Sequence, residues 1–210
     1  MEVLRRLSEE LQQGNFDQMP DLTRQALRQG VEPGRILNEA LVAGMDVVGN
    51  KFRRDEIFLP EVLISAKAMQ ASMDILRPFL AGSGVKMAGK VVLGTVKGDI
   101  HDIGKNLVGM LLEGAGYEVI NLGTDVSAER FVQSVKANQP NLVGLSALLT
   151  TTMLGMKDVI QSLVEAGVRD KIKVVVGGAP VTEDFARHVG ADGYAPDAAR
   201  AVDKVRELIG

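Results

Sequence analysis

One stretch, "TVKGDIHDIGKN" (residues 95–106), gathers side chains able to do ligand or acid–base chemistry. His101 stands between Asp99 and Asp102, with Gly98 and Gly104 on the flanks and Ile100 inside the cluster. A carboxylate two residues from an imidazole can accept a hydrogen bond from one ring nitrogen. That bond fixes the tautomer and raises the basicity of the other nitrogen. As a base in a triad, His101 would need an activated nucleophile beside it. Thr152 or Ser146 could approach it, but no nucleophile elbow is visible. A zinc site would need further ligands at short spacing. The chain has no cysteine and only one other histidine, so Asp99 and Asp102 make a thin set. A metal that brings most of its own ligands needs one protein nitrogen, and this stretch offers one.

Phosphate loops fit less well. A Walker A loop requires G-x-x-x-x-G-K-[ST], so that backbone amides wrap a phosphate and a hydroxyl reaches Mg²⁺. Here five residues separate Gly98 from Gly104, and Asn106 occupies the hydroxyl position. Gly98, Gly104 and Gly109 do not have dinucleotide-loop spacing either. A flavodoxin-type loop has no use for a histidine. A receiver would need a phosphorylatable aspartate after its third strand, where this chain has "GLSALLTTT".

Two kinds of element must position these residues. Residues 1 to about 80 read as helices only. Val3, Leu4, Leu7 and Leu11 follow helical spacing; a second helix covers about 17–29; Pro33 opens a third, with Ile36, Leu37, Leu41, Met45 and Val48 on one stripe; a fourth runs over about 60–80. Four helices on short turns predict an antiparallel bundle. "AGSGVKMA" (81–88) reads as a linker. Beyond it, the apolar runs "KVVLGTV", "YEVINLG", "NLVGLSA" and "KIKVVVGG" and a short strand near "DGYA" alternate with helices. That pattern predicts a doubly wound, parallel, five-stranded α/β domain. The expected division is 1–86 and 87–210. In such sheets ligands sit at the carboxyl ends of the strands. With strand order 2-1-3-4-5, the histidine loop, Ser146 with Thr150–Thr152, and Gly177-Gly178 line one crevice.

Bulk properties narrow the partners. A net charge of −3 gives no electrostatic footprint for nucleic acid or an anionic membrane. The amino-terminal segment lacks the apolar region of a signal peptide, and no apolar run reaches the ~20 residues of a membrane span. The absence of cysteine fits a cytoplasmic location. Aromatic residues make up only 4%, without Trp, so the core must be aliphatic, with Met45, Met69 and Met73 as filling. His188 reads as a surface or packing residue.

Asp99-x-His101-x-x-Gly104, then Ser146-x-Leu148, then Gly177-Gly178, resemble in order, spacing and strand placement the cobalamin-binding domain. The stretches "ALVAGMDVVGNKF" and "FLPEVLISAKAM" resemble the helical cap that accompanies this domain in methionine synthase and in small corrinoid proteins. The resemblance covers nearly the whole chain. It implies that His101 displaces the cofactor's benzimidazole and binds cobalt, the base-off/His-on state, with Asp99 hydrogen-bonded to His101. The nucleotide tail would pass Gly104. Ser146 and Thr150 would contact it, Gly177 and Gly178 would leave it room, and "YAPDA", ending at Ala198, would touch it further along. Phe52 and Leu59 match cap residues over the methyl-bearing face. In methionine synthase a serine completes a His-Asp-Ser relay; the matching residue here is Thr152, with one methyl more.

Within that resemblance, architecture separates functions. No substrate barrel, as in a mutase, and no basic recognition helix, as in a B12-dependent regulator, is present in the sequence. The chain resembles the corrinoid protein of a three-component methyltransferase system. Its cofactor would be cobalamin, methylcobalamin during turnover. Its partners would be a substrate-specific corrinoid methyltransferase, a methyl-acceptor methyltransferase using tetrahydrofolate or a thiol, and a reductive activase. A cobalamin sensor or storage module, or a nucleotide or flavin module, are the alternatives. The methyl donor is not written in the chain.

Overall fold

In a computed structural model of the chain, residues 2–80 and 87–210 are described. Of the linker read over 81–88, residues 81–86 lie outside the described residues. Contacts divide the chain into two compact units. One runs up to Met87 and includes Glu113–Gly116; the other comprises Ala88–Leu112 and Tyr117–Gly210.

The first unit is helical. Helix α1 (Glu2–Gln12) buries Val3, Leu4, Leu7 and Leu11, the four residues at helical spacing. Helix α2 (Met19–Arg28) starts with Pro20 in its first turn, where a missing N–H costs nothing. Helix α3 (Pro33–Arg35) continues through a π-helical stretch, Ile36–Val42, into α4 (Ala43–Arg53). The π turns escape a periodicity reading because Ile36, Leu37, Leu41, Met45 and Val48 are still all buried. Helix α5 (Leu59–Leu80) follows. A buried Thr23 Oγ1–Ser72 Oγ hydrogen bond of 2.8 Å joins α2 to α5. Met45, Met69 and Met73 are core residues.

The second unit is the α/β domain. Strands β1 (Lys90–Thr95), β2 (Glu118–Asn121), β3 (Leu142–Ser146), β4 (Lys173–Gly177) and β5 (Gly193–Ala195) form one parallel sheet in the order β2-β1-β3-β4-β5. Helices α6 (Ile103–Gly114), α7 (Ala128–Asn138), α8 (Gly155–Glu165), α9 (Glu183–Val189) and α10 (Ala198–Ile209) connect and cover it. Ser127, Thr182 and Asp197 set three of the helix starts, each accepting the N–H three residues on. On one face the core packs Val92, Val143, Leu145 and Val176 with Phe131 and Met156. Phe131 fills the space beside Gly94, where a Cβ would meet its ring at 2.5 Å.

The register places the site. Thr95 pairs with Ser146, Ser146 with Gly177, and Gly177 with Ala195. Four strands therefore end on one row, and their exit loops stand side by side.

One helix begins later than its sequence suggests. The periodicity predicts a helix from Thr151, but α8 starts at Gly155. Residues 150–154 form turns instead: the Met153 N–H bonds Leu149 O four residues back, and the Gly155 and Met156 N–H groups bond Thr152 O and Met153 O three back, all at 3.0 Å. The Thr152 hydroxyl is engaged elsewhere, as hydroxyl side chains at helix entries often are.

Candidate functional site

The histidine loop leaves β1 at Thr95 and enters α6 at Ile103. Gly98 has φ +81, a left-handed conformation that glycine reaches without steric cost. Asp102 opens the helix: its carbonyl accepts the Asn106 N–H at 2.7 Å and its carboxylate the Asn106 side-chain amide at 2.9 Å. Thr95 Oγ1 donates to the His101 carbonyl at 2.9 Å, closing the loop onto the strand that feeds it.

Asp99 lies at the centre, with its side chain 0% exposed. Oδ1 accepts the His101 backbone N–H at 3.0 Å and lies 2.7 Å from His101 Nδ1. Oδ2 accepts the Leu148 N–H at 2.7 Å and the Thr152 hydroxyl at 2.6 Å. Burial alone would raise the carboxyl pKa. The bonds from Thr152, Leu148 and His101 together outweigh it and hold Asp99 well below the usual carboxylate range. An ionised carboxylate only accepts. His101 Nδ1 must then carry the proton, and the neutral ring presents its lone pair at Nε2. The His101 side chain is 47% exposed, and no described residue bonds Nε2.

Beside the histidine opens a mainly apolar cavity of about 570 Å³. Leu93, Gly144 and Val175 come from the strands; Ser146, Gly177 and Ala198 stand among its walls. Ile100 and Ile103, 76% and 78% exposed, and Leu148, 44% exposed, form an apolar rim around it. Such concave, largely apolar spaces with a few polar groups are the usual form of small-molecule sites.

The sequence-derived residues fall into three groups. Ile100, His101, Asp102, Gly104, Ser146, Leu148, Gly177, Gly178 and Ala198 line the cavity. Gly98, Asp99 and Thr152 stand behind the histidine and hold it, while Thr150 is exposed on the loop after β3. Phe52, in α4, and Leu59, the first residue of α5, belong to the helical unit. His188 is exposed on α9.

The glycines differ in what they do. A Cβ on Gly178, where φ is +129, would collide with the Ala147 carbonyl oxygen, and one on Gly177 would meet Ala195 O at 2.9 Å. Backbone packing therefore requires both, whatever the cavity holds. A Cβ on Gly104 would meet nothing within 4 Å.

Sequence reasoning missed several supports. Lys105 is 5% exposed and donates to the side-chain oxygens of Asn106 and Asn121 at 2.6 and 2.7 Å. Thr95 and Asp125 also bond the histidine loop. The signal available was strand order: β2 neighbours β1, so the residues leaving β2 must lie beside the histidine loop. Among the described residues no three His, Asp or Glu side chains converge as a metal cage.

Comparison with known proteins agrees in both units. Residues 89–203 match the B12 binding domain, and residues 3–77 match a second family also described as a B12 binding domain. A dimethylamine corrinoid protein of Methanosarcina acetivorans is 43% identical over 209 residues, 99% of this chain and 96% of the relative. A corrinoid protein of Desulfitobacterium hafniense is 41% identical over 213 residues, 100% of this chain and 99% of the relative. Among solved structures, the methanol:cobalamin methyltransferase complex MtaBC from Methanosarcina barkeri matches with TM-score 0.90 and 34% identity, covering 99% of this chain and 80% of that one.

Proposed function

Because the chain belongs to the B12-binding corrinoid proteins of methyltransferase systems, we propose that it is the subunit that carries a methyl group between two methyltransferases. In this reading His101 is the protein's ligand to cobalt, in the base-off/His-on state. Cobalamin is the cofactor, and when bound it supplies the cobalt that accepts and releases the methyl group.

The observation that carries the reading is the Asp99–His101 pair at 2.7 Å, with Nε2 bonded by no described residue and His101 lining the cavity. The carboxylate keeps the proton on Nδ1, so Nε2 is a neutral nitrogen donor of raised basicity. The residues present fit the rest of the cofactor as well. The cavity has the volume and apolar lining to take a displaced benzimidazole tail. Gly104 has no structural need to be glycine, and its bare Cα widens the mouth of the cavity. Ser146 and Thr150 offer hydroxyls to the tail. The exposed Ile100, Ile103 and Leu148 side chains present apolar surface to a flat macrocycle. Phe52 and Leu59, in the helical unit, are in this reading the residues that match the family's cap. Thr152 holds Asp99 ionised behind His101, so a proton taken up by an imidazole free of metal would reside on the ring and not on the carboxylate.

Substrate specificity resides in the partner methyltransferases. Relatives named dimethylamine and trimethylamine corrinoid proteins make methylamine:corrinoid methyltransferases the first donor-side partners to assay. On the acceptor side, tetrahydrofolate- and thiol-specific methyltransferases are tested in parallel, with a reductive activase present.

Reconstitution with hydroxocobalamin tests the ligand. The expected ultraviolet–visible spectrum is that of base-off/His-on cobalamin, lost in His101→Ala. An unchanged spectrum in that variant would remove His101 as the ligand. Methyl transfer with cognate partners is expected; no turnover with any partner, together with light-dependent oligomerisation, would make the protein a sensor instead.

A further inference from the structure

A third chain segment grips the histidine loop, and its grip depends on a strained residue. The loop leaving β2 runs alongside the end of β1, with Val96 and Val126 bridged in parallel. The Thr95 N–H donates to Gly123 O and the Val126 N–H to Thr95 O, both at 3.0 Å. Between Gly123 and Val126 sits Asp125, with φ 52. A left-handed conformation costs a non-glycine residue on the order of 1 kcal/mol. It persists where surrounding bonds over-determine it, which is common at functional sites.

Asp125 makes two such bonds, both into the segment that carries Asp99. Its Oδ1 accepts the Gly98 N–H at 2.7 Å. Its own N–H donates to the Asp99 carbonyl at 2.9 Å. The partner residue Gly98 is itself left-handed, at φ +81. The two unusual backbone conformations therefore face each other across a charge-assisted hydrogen bond. With Thr95 holding the His101 carbonyl, the loop is pinned before Asp99 and after it. A purely local turn would need neither the carboxylate nor the paired left-handed residues.

We infer that Asp125 is a positioning residue for the imidazole: by holding Gly98 and Asp99 it fixes where the Asp99 carboxylate meets His101 Nδ1, and so the tautomer and aim of Nε2. This rests on reading His101 as the cobalt ligand, but its first consequence is a property of the protein without cofactor.

The test uses the full-length protein and three variants. Asp125→Gly removes the acceptor and also relieves the backbone strain. Asp125→Asn keeps an acceptor oxygen and tolerates the left-handed conformation. Asp125→Ala loses the acceptor and keeps the strain. Nitrogen-15 NMR of the cofactor-free protein, above the histidine titration range, reads the His101 tautomer ratio. The chain's only other histidine, the exposed His188, serves as internal reference. We expect the ratio of Nδ1–H to Nε2–H tautomer to fall roughly ten-fold in folded Asp125→Gly and Asp125→Ala, the scale of one charge-assisted hydrogen bond. The His-ligated fraction after hydroxocobalamin loading should fall with it, and Asp125→Asn should restore both. A native tautomer ratio in folded Asp125→Gly would overturn the inference. So would a folded Asp125→Asn as impaired as the glycine variant, which decides the matter even if the other two variants do not fold. His101→Ala run in parallel separates the two readings. If its cobalamin spectrum is native, the ligand assignment fails, while the tautomer ratio still decides the role of Asp125.

Discussion

Thr152 Oγ1 lies 2.6 Å from Asp99 Oδ2, so a hydroxyl 53 positions along the chain donates to the carboxylate at the back of the histidine. The hydroxyl proton also has the Leu149 carbonyl within reach, at 3.1 Å, but the carboxylate is closer and charged. The threonine methyl does not disturb this arrangement. Its Cγ2 would lie 3.8 Å from a Cβ placed on Gly98, an ordinary contact distance. Thr152→Ser is therefore expected to match the native protein in unfolding free energy within about 0.5 kcal/mol. Thr152→Val keeps the shape and removes the donor. It should destabilise the cofactor-free protein by about 1.5–3 kcal/mol, the range for a hydrogen bond to a charged group. Urea titration of both variants checks this, and a native stability in Thr152→Val would contradict it.

The same carboxylate should leave a signature in acid. The Asp99 pKa in the folded chain is below its unfolded value of about 4. Its stabilisation is therefore complete above that value and is lost as pH falls below it toward the folded pKa. The native protein minus Asp99→Asn difference in unfolding free energy should be constant from neutral pH to about 5 and shrink progressively below about 4. Thermal or urea unfolding along a pH series measures it. A difference that grows in acid would mean that Asp99 is not ionised in the fold.

The elements were legible because each carried its own local signal. Alternating short apolar runs gave the strands, and helical spacing such as that of Val3, Leu4, Leu7 and Leu11 gave the helices. The order 2-1-3-4-5 entered the sequence reading as a condition; the structure has it, and it brings His101, Ser146 and Gly177 to one edge. What stayed hidden depends on pairwise geometry. Nothing in "NLGTDVS" says that Asp125 turns left-handed and reaches Gly98. Nothing in "GKN" says that Lys105 is buried against Asn121 rather than solvated. The two glycines at the end of β4 line the cavity, and the sequence did not show that neighbouring carbonyls also forbid a side chain there.

That last distinction separates two alanine substitutions. Gly178→Ala puts a methyl group onto the Ala147 carbonyl at a φ of +129. It should cost the cofactor-free fold ~2–4 kcal/mol, as strained and overpacked positions do. Gly104→Ala meets no protein atom within 4 Å and lies in the first turn of α6. Alanine favours helix over glycine by up to about 1 kcal/mol, so this variant should be as stable as native or slightly more so. Its methyl projects at the wall of the cavity, so cobalamin retention should still weaken. Melting temperatures of the cofactor-free proteins, set beside equilibrium dialysis with hydroxocobalamin, distinguish the two. Full cobalamin retention by Gly104→Ala would show that the cofactor does not pass this residue.

Lys105 carries a buried cation whose two hydrogen-bond acceptors, Asn106 and Asn121, are neutral amides. Burial lowers its pKa, and the charge of Asp102 only partly compensates. Its ammonium ties the start of α6 to the end of β2, the two segments that flank the histidine loop. Asn121 keeps other bonds, to Asn106 at 2.9 Å and from the Gly123 N–H at 3.0 Å. Lys105→Met preserves the stem along the cavity and removes only the ammonium, so about 1–2 kcal/mol of stability should be lost at neutral pH. The pH dependence has a defined sign. A lysine whose folded pKa is depressed binds its proton more tightly when unfolded. The native protein therefore gains stability relative to Lys105→Met as pH rises through the folded pKa toward the ordinary value of about 10.4. Urea unfolding at about pH 8 and about pH 10 should show the gap between native and variant widening. A gap that narrows would mean that the ammonium is better solvated in the fold than in the unfolded chain, against its burial between α6 and β2.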